Sequence, residues 1–128
     1  MIAGLSAAAA LGLSLLGWVA MTAAMAGKPL AGVTRDDLGA MFAIPGLGVS
    51  WLIRVTALGV LSLASSMAVF RRTLPAIGVV LGGVALASRA WIGYDAAGDG
   101  IAGPLHLVAD VVHLLSAGAW VVALSLLL

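Results

Sequence analysis

Residues 2–26 run without a single ionisable side chain, and three more long apolar stretches follow at 51–70, 74–92 and 104–128. About 20 apolar residues cover the hydrocarbon core of a bilayer as a helix. Each run therefore reads as a membrane span, or comes within a residue of one. Backbone groups in lipid must be satisfied within the segment, which selects helices over open strands. The runs are continuous and lack the period-2 alternation of a membrane barrel. Lys28-Pro29 closes the first run, Arg71-Arg72 closes the second, and Pro75 opens the third in a position tolerated by a first helical turn. Between the first two lies 31–50, a loop with a short interfacial helix. Gly93 to Gly100 is rich in turn residues. The expected fold is all-α, a bundle of four transmembrane helices at about 2–26, 51–70, 74–92 and 104–128, forming a single domain over 1–128.

Composition closes the alternatives. With 63% hydrophobic and 9% charged residues and a mean hydropathy of +1.22, the chain cannot cover a water-soluble monomer with polar surface. Disorder requires the opposite balance. A net charge of +1 leaves no basic patch for nucleic acid. The absence of cysteine removes disulfides, thiolate metal sites and cysteine nucleophiles. Ala24-Met25-Ala26 resembles a signal cleavage site, but the apolar run is too long and its start uncharged, so it is expected to stay as a helix. Basic residues are balanced between the loops, so charge does not set the orientation. Gly78 with Gly82 and Ser62 with Ser66 have the spacing of small residues that let membrane helices approach closely.

Ionisable groups inside a span are costly and mark function by default. The last run holds three, His106, Asp110 and His113, spaced four and three apart on one helical face. The two histidines are about 10 Å apart along the axis, too far to share one ion. The arrangement is a ladder, with Asp110 able to partner either ring or to fix its tautomer. A structural alternative pairs Asp110 with Arg54 or Arg89, which sit just inside their own spans. Met21 and Met25, one turn apart, carry thioethers suited to Cu(I), while imidazole suits either oxidation state. They also serve as ordinary apolar filling. With antiparallel helices, the Lys28 end of the first span and the His106 end of the last share a membrane side. Trp51 and Trp91 fit an interfacial belt there, and Trp18 and Trp120 fall deeper, where they would pack within the bundle. Ser116 lies near His113 without a nucleophile motif, and no phosphate-binding motif is present, so no enzyme activity is expected.

The stretch 105–120, with His106, Ala109, Asp110, His113, Ala117 and Trp120 in H-x-x-A-D-x-x-H-x-x-x-A-x-x-W spacing, resembles the copper resistance protein D family. Trp51 and Arg54 are similar to its W-x-x-R helix start. Ser88, Ala90, Trp91, Gly93, Ala96 and Ala97 look like its S-x-A-W-x-G-H-A-A segment. Tyr94, followed by Asp95, stands where that pattern places histidine, so a ligand there would shift to these two residues. Family members have about eight membrane helices, which makes this chain look like a half-length form. The resemblance implies copper uptake from periplasm to cytoplasm across a bacterial inner membrane. Copper would be captured near Met21, Met25, Tyr94, Asp95 and His106 and passed to Asp110 and His113, with Arg54, Arg89, Trp91 and Trp120 in supporting positions. It also implies the lipid bilayer, a periplasmic copper-binding protein and further copies of the chain as partners. Two other readings stand beside it: a b-type haem carrier, disfavoured because both histidines share one helix face, and a membrane component with a purely structural polar network.

Overall fold

The computed structural model describes residues 2–67, 70, 72–91 and 102–127, and the described residues are helical and contain no strand. Helix α1 covers Ile2–Ala26, α2 Arg35–Phe42, α3 Leu47–Ser66, α4 Leu74–Ala87 and α5 Ala102–Leu127, with a short 3-10 turn at Leu30–Gly32. Three of these are long and apolar enough to cross a membrane, over Gly4–Ala26, Leu47–Ser66 and Gly103–Leu124; α4 is apolar but shorter. The first and last runs match their expected bounds closely. The second helix is shifted four residues toward the N-terminus at both ends. The third stops at Ala87, where Ser88, Arg89 and Ala90 close into tight turns instead of extending the helix to 92. At 1.5 Å per residue α4 is only about 21 Å long, less than a typical hydrocarbon core of about 30 Å.

Helix ends follow from local chemistry. Gly27 adopts φ +63°, a left-handed conformation that lets the N–H of Lys28 reach the carbonyl of Ala23 at 3.0 Å and that of Gly27 reach Ala24 at 3.3 Å. These bonds cap the last carbonyls of α1. The short helix expected in the following loop is α2. Thr34 caps it, its Oγ1 accepting from the Asp37 N–H while Asp37 Oδ2 accepts from the Thr34 N–H at 2.8 Å. Lys28 Nζ adds hydrogen bonds of 2.8 and 2.7 Å to the two Asp37 carboxylate oxygens, tying the loop to α2. These bonds hold the Asp37 carboxyl down at about 2, the Lys28 ammonium contributing most and the Thr34 donors next.

Helices α1, α3 and α4 pack in sequence, α3 lying between the other two. At one end Trp18, Met41 and Leu47 are buried, with Met21, Leu38, Ile44 and Trp51 against them. Rings of Trp18 and Trp51 lie 4.7 Å apart and those of Trp18 and Phe42 4.9 Å, spacings typical of favourable aromatic contact. Trp51 Nε1 donates to the carbonyl of Ser14 at 3.2 Å. Trp51 is thus half-buried and packed against this core. Deeper in, Ala57, Leu58 and Ala85 form a second cluster with Ala10, Leu11 and Leu81. Small residues do allow close approach, although Gly82 itself has open space beside it and Ser66 folds back on Leu63.

Helix α5 sits at the edge, packed on α4. Leu115 approaches Gly83, and Gly118 lies so close to Leu86 that a methyl group added there would fall 2.8 Å from Leu86 Cδ1. Those two contacts advance together along both helices, unlike the antiparallel pairs α1/α3 and α3/α4. No other described part of α5 is enclosed beyond a stripe at 103, 107, 111, 114 and 118.

Candidate functional site

The expected site residues divide between two places. The first is where α3 and the end of α4 meet. Arg54 lies on the inner face of α3, 6% exposed, and its Nε donates to Ser88 Oγ at 3.2 Å. Ser88 in turn donates to the carbonyl of Ala85 at 2.8 Å, so its hydroxyl is fixed as an acceptor for the guanidinium. Ser88 is the functional residue that motif reading passed over. It lies within the S-x-A-W segment, but its role as the partner of Arg54 needs the helix ends in space. Arg54 Nη2 is buried without a hydrogen-bond partner among the described residues. Arg89 follows Ser88 and is exposed. Neither arginine pairs with Asp110, because α5 approaches α4 through another face. Met21 packs under Trp18 and Leu47, whereas Met25 is exposed, so the two sulfur side chains do not converge. The packing of α5 on α4 does not deliver His106 to that end of α1.

The second place is α5. His106, Asp110 and His113 are all exposed, and none makes a hydrogen bond or ion pair among the described residues. At 100° per residue, their face lies about a quarter turn round the helix from the stripe packed on α4. Ala117 and Trp120 continue the same face. Trp120 is 67% exposed, which corrects the expectation that it packs within the bundle. Among the described residues no three of His, Asp or Glu converge on a point where one metal ion would sit. His106, Asp110 and His113 therefore do not make a complete ligand set by themselves. The same geometry opposes haem, since two histidines on one face of one helix cannot approach opposite sides of a ring. Trp91 is exposed, and Tyr94 and Asp95 lie outside the described residues.

The pattern of the copper resistance protein D-like N-terminal domain matches residues 1–104. The chain belongs to the copper resistance protein D-like family. Within that family, copper resistance protein D of Pseudomonas syringae pv. tomato is 38% identical over 126 residues. The alignment covers 94% of this chain and 40% of the relative, so the chain spans less than half of its relative's length. A span of that extent includes His106, Asp110 and His113, which lie just beyond the domain match. No solved structure matches the chain. Family membership and the apolar helices together make this a multi-pass membrane protein of the copper resistance protein D-like family.

Proposed function

We propose that this chain is a copper-transport component of a bacterial inner membrane, which carries copper ion from periplasm toward cytoplasm. The carrier surface is the His106–Asp110–His113 face of α5. One observation carries the reading: on a helix of spanning length, two imidazoles and a carboxylate share a face that the described residues leave uncovered. Polar groups in that position are retained against a high cost, and imidazole and carboxylate are both donors for copper. The successive rungs rise by about 6 and 4.5 Å. With metal–ligand bonds of about 2 Å, neighbouring rungs can share an ion while the two histidines cannot. Such spacing suits stepwise exchange and not a fixed chelate. The remaining ligands come from a surface that closes over this face, either a second copy or sequence of the kind the longer relative carries. A periplasmic copper-binding protein is the natural donor. No chemical step is assigned, so the chain is read as a carrier and not an enzyme.

The test is copper accumulation in cells expressing the wild-type chain, His106→Ala or His113→Ala, at matched membrane abundance. Both substitutions should bring accumulation down to that of cells lacking the protein. Unchanged accumulation in both variants overturns the reading.

A further inference from the structure

Between α1, α3 and α4 lies a cavity of about 510 Å³ whose polar lining is cationic. Ser14, Trp18, Met21, Trp51, Arg54 and Arg89 surround its charged end. Among the described residues no carboxylate lines it; Asp36 and Asp37 belong to α2, and Asp37 is already bound to Lys28. Arg54 is more than nine-tenths buried, and among the described residues its Nη2 has no partner. Arg89 is close enough for the two like charges to act on each other. A pair of guanidiniums brought together in a largely apolar pocket, one of them with unused donors, repels metal cations and leaves an anion-shaped requirement. The planar donor fork of arginine matches the oxygens of phosphate or carboxylate.

The rest of the cavity says which anion. Its lining runs along α1 from Met21 back to Ala10, roughly 16 Å at 1.5 Å per residue, and is apolar there, with Leu13, Leu58 and Leu86 among its walls. A cationic end continuous with an apolar groove, between helices that face lipid, has the form of an amphiphile. We propose that Arg54 and Arg89 bind a phosphate group, and that the groove beside them accepts the acyl chain when that phosphate belongs to a lipid. Ser88 holds Arg54 Nε and so fixes the guanidinium at the cavity wall. This site is separate from the α5 face and does not depend on copper being the cargo.

The experiment uses the full chain purified in detergent and read by native mass spectrometry with added phosphatidylglycerol or phosphatidylcholine. In parallel, inorganic phosphate is titrated while the fluorescence of Trp18 and Trp51 is followed. For a lipid phosphate, one phosphatidylglycerol per chain is retained in preference to phosphatidylcholine. Retention then falls roughly tenfold in Arg89→Gln, the effect of losing one charge-assisted hydrogen bond, and is restored in Arg89→Lys. For free phosphate, the fluorescence titration saturates, is abolished in Arg89→Gln, and phosphatidylglycerol does not compete. Either pattern supports a phosphate site and distinguishes its source. Arg54→Gln should remove binding altogether, and if that variant does not fold, the exposed Arg89 carries the test. Equal retention of both lipids, or binding indifferent to Arg89→Gln with no phosphate response, overturns the proposal.

Discussion

Two tryptophans, Trp18 and Trp120, sit in uncharged helical surroundings and meet opposite fates. Trp18 is 6% exposed, pressed between Phe42 and Trp51, while Trp120 is 67% exposed on the outer face of α5. The polar residues near them divide in the same way. Arg54 is turned inward and held by Ser88; His106, Asp110 and His113 are turned outward and held by none of the described residues. The α1–α3–α4 unit turns Trp18 and Arg54 into its own packing. Helix α5 uses one stripe to dock and leaves its motif-bearing face for something else. In water such a face would be ordinary. On a membrane helix it marks where another surface, or a cargo, completes the structure.

The largest effect that tests this contrast is on stability. Trp18→Ala should cost about 3–5 kcal/mol, the usual range for emptying a buried aromatic site. Trp120→Ala should stay within about 0.5 kcal/mol, as for an exposed position without contacts. Unfolding of the purified single chain in detergent measures both. A comparable loss in the two variants would mean that the α5 face is already covered, and the distinction between the regions would fail.

A second pair isolates the polar groups. Ser88→Ala removes the acceptor from Arg54 and leaves a buried cation with less to bind, at a cost of about 1–3 kcal/mol. His113→Ala removes a side chain with no protein partner, so unfolding should be unchanged while copper accumulation drops. If His113→Ala destabilises the chain as much as Ser88→Ala does, the histidine is a structural group and the carrier reading loses its basis.

Much of this division was legible before the fold. The uncharged run at 2–26 and the closing basic residues marked the helices, because lipid leaves the backbone few alternatives. The His106, Asp110, His113, Trp120 spacing defined a face by arithmetic alone. What spacing cannot say is which way a face points. Helix α5 is apolar on nearly every side, so its pattern does not favour one docking stripe, and the choice fell to close contacts such as Gly118 with Leu86. For the same reason spacing does not show what Trp51 packs against. Its partial burial depends on α2 folding back with Met41 and Phe42, from a loop whose composition signals only a short surface helix. The early stop of α4 at Ala87 also escaped, since Ser88, Arg89 and Ala90 do not forbid helix. It is the bond from Ser88 to Arg54, on another element, that gives the turn its use.

The smallest expected effect concerns pH, and it belongs to the inward-packed region alone. Asp37 is held at about 2, against an ordinary value near 3.8, by the Lys28 ammonium and the Thr34 donors. A carboxyl whose value is lower in the folded chain binds fewer protons there than when unfolded, so its contribution to stability is complete above the ordinary value. That contribution then declines as pH falls from about 4 toward 2. Over that interval the clasp between Lys28 and Asp37 should open and α2 should loosen from Trp18 and Leu47. Hydrogen exchange of the α2 amides would report it, and raised salt should weaken the clasp at neutral pH because the pair is partly solvent-exposed. Asp37→Asn should show loosened α2 at neutral pH and little further change on acidification. Asp110→Asn, which removes no ion pair, is the matched control and should keep the wild-type response. An acid response of α2 that survives Asp37→Asn would assign the clasp to other groups and break the link between this bridge and the packing of the aromatic end.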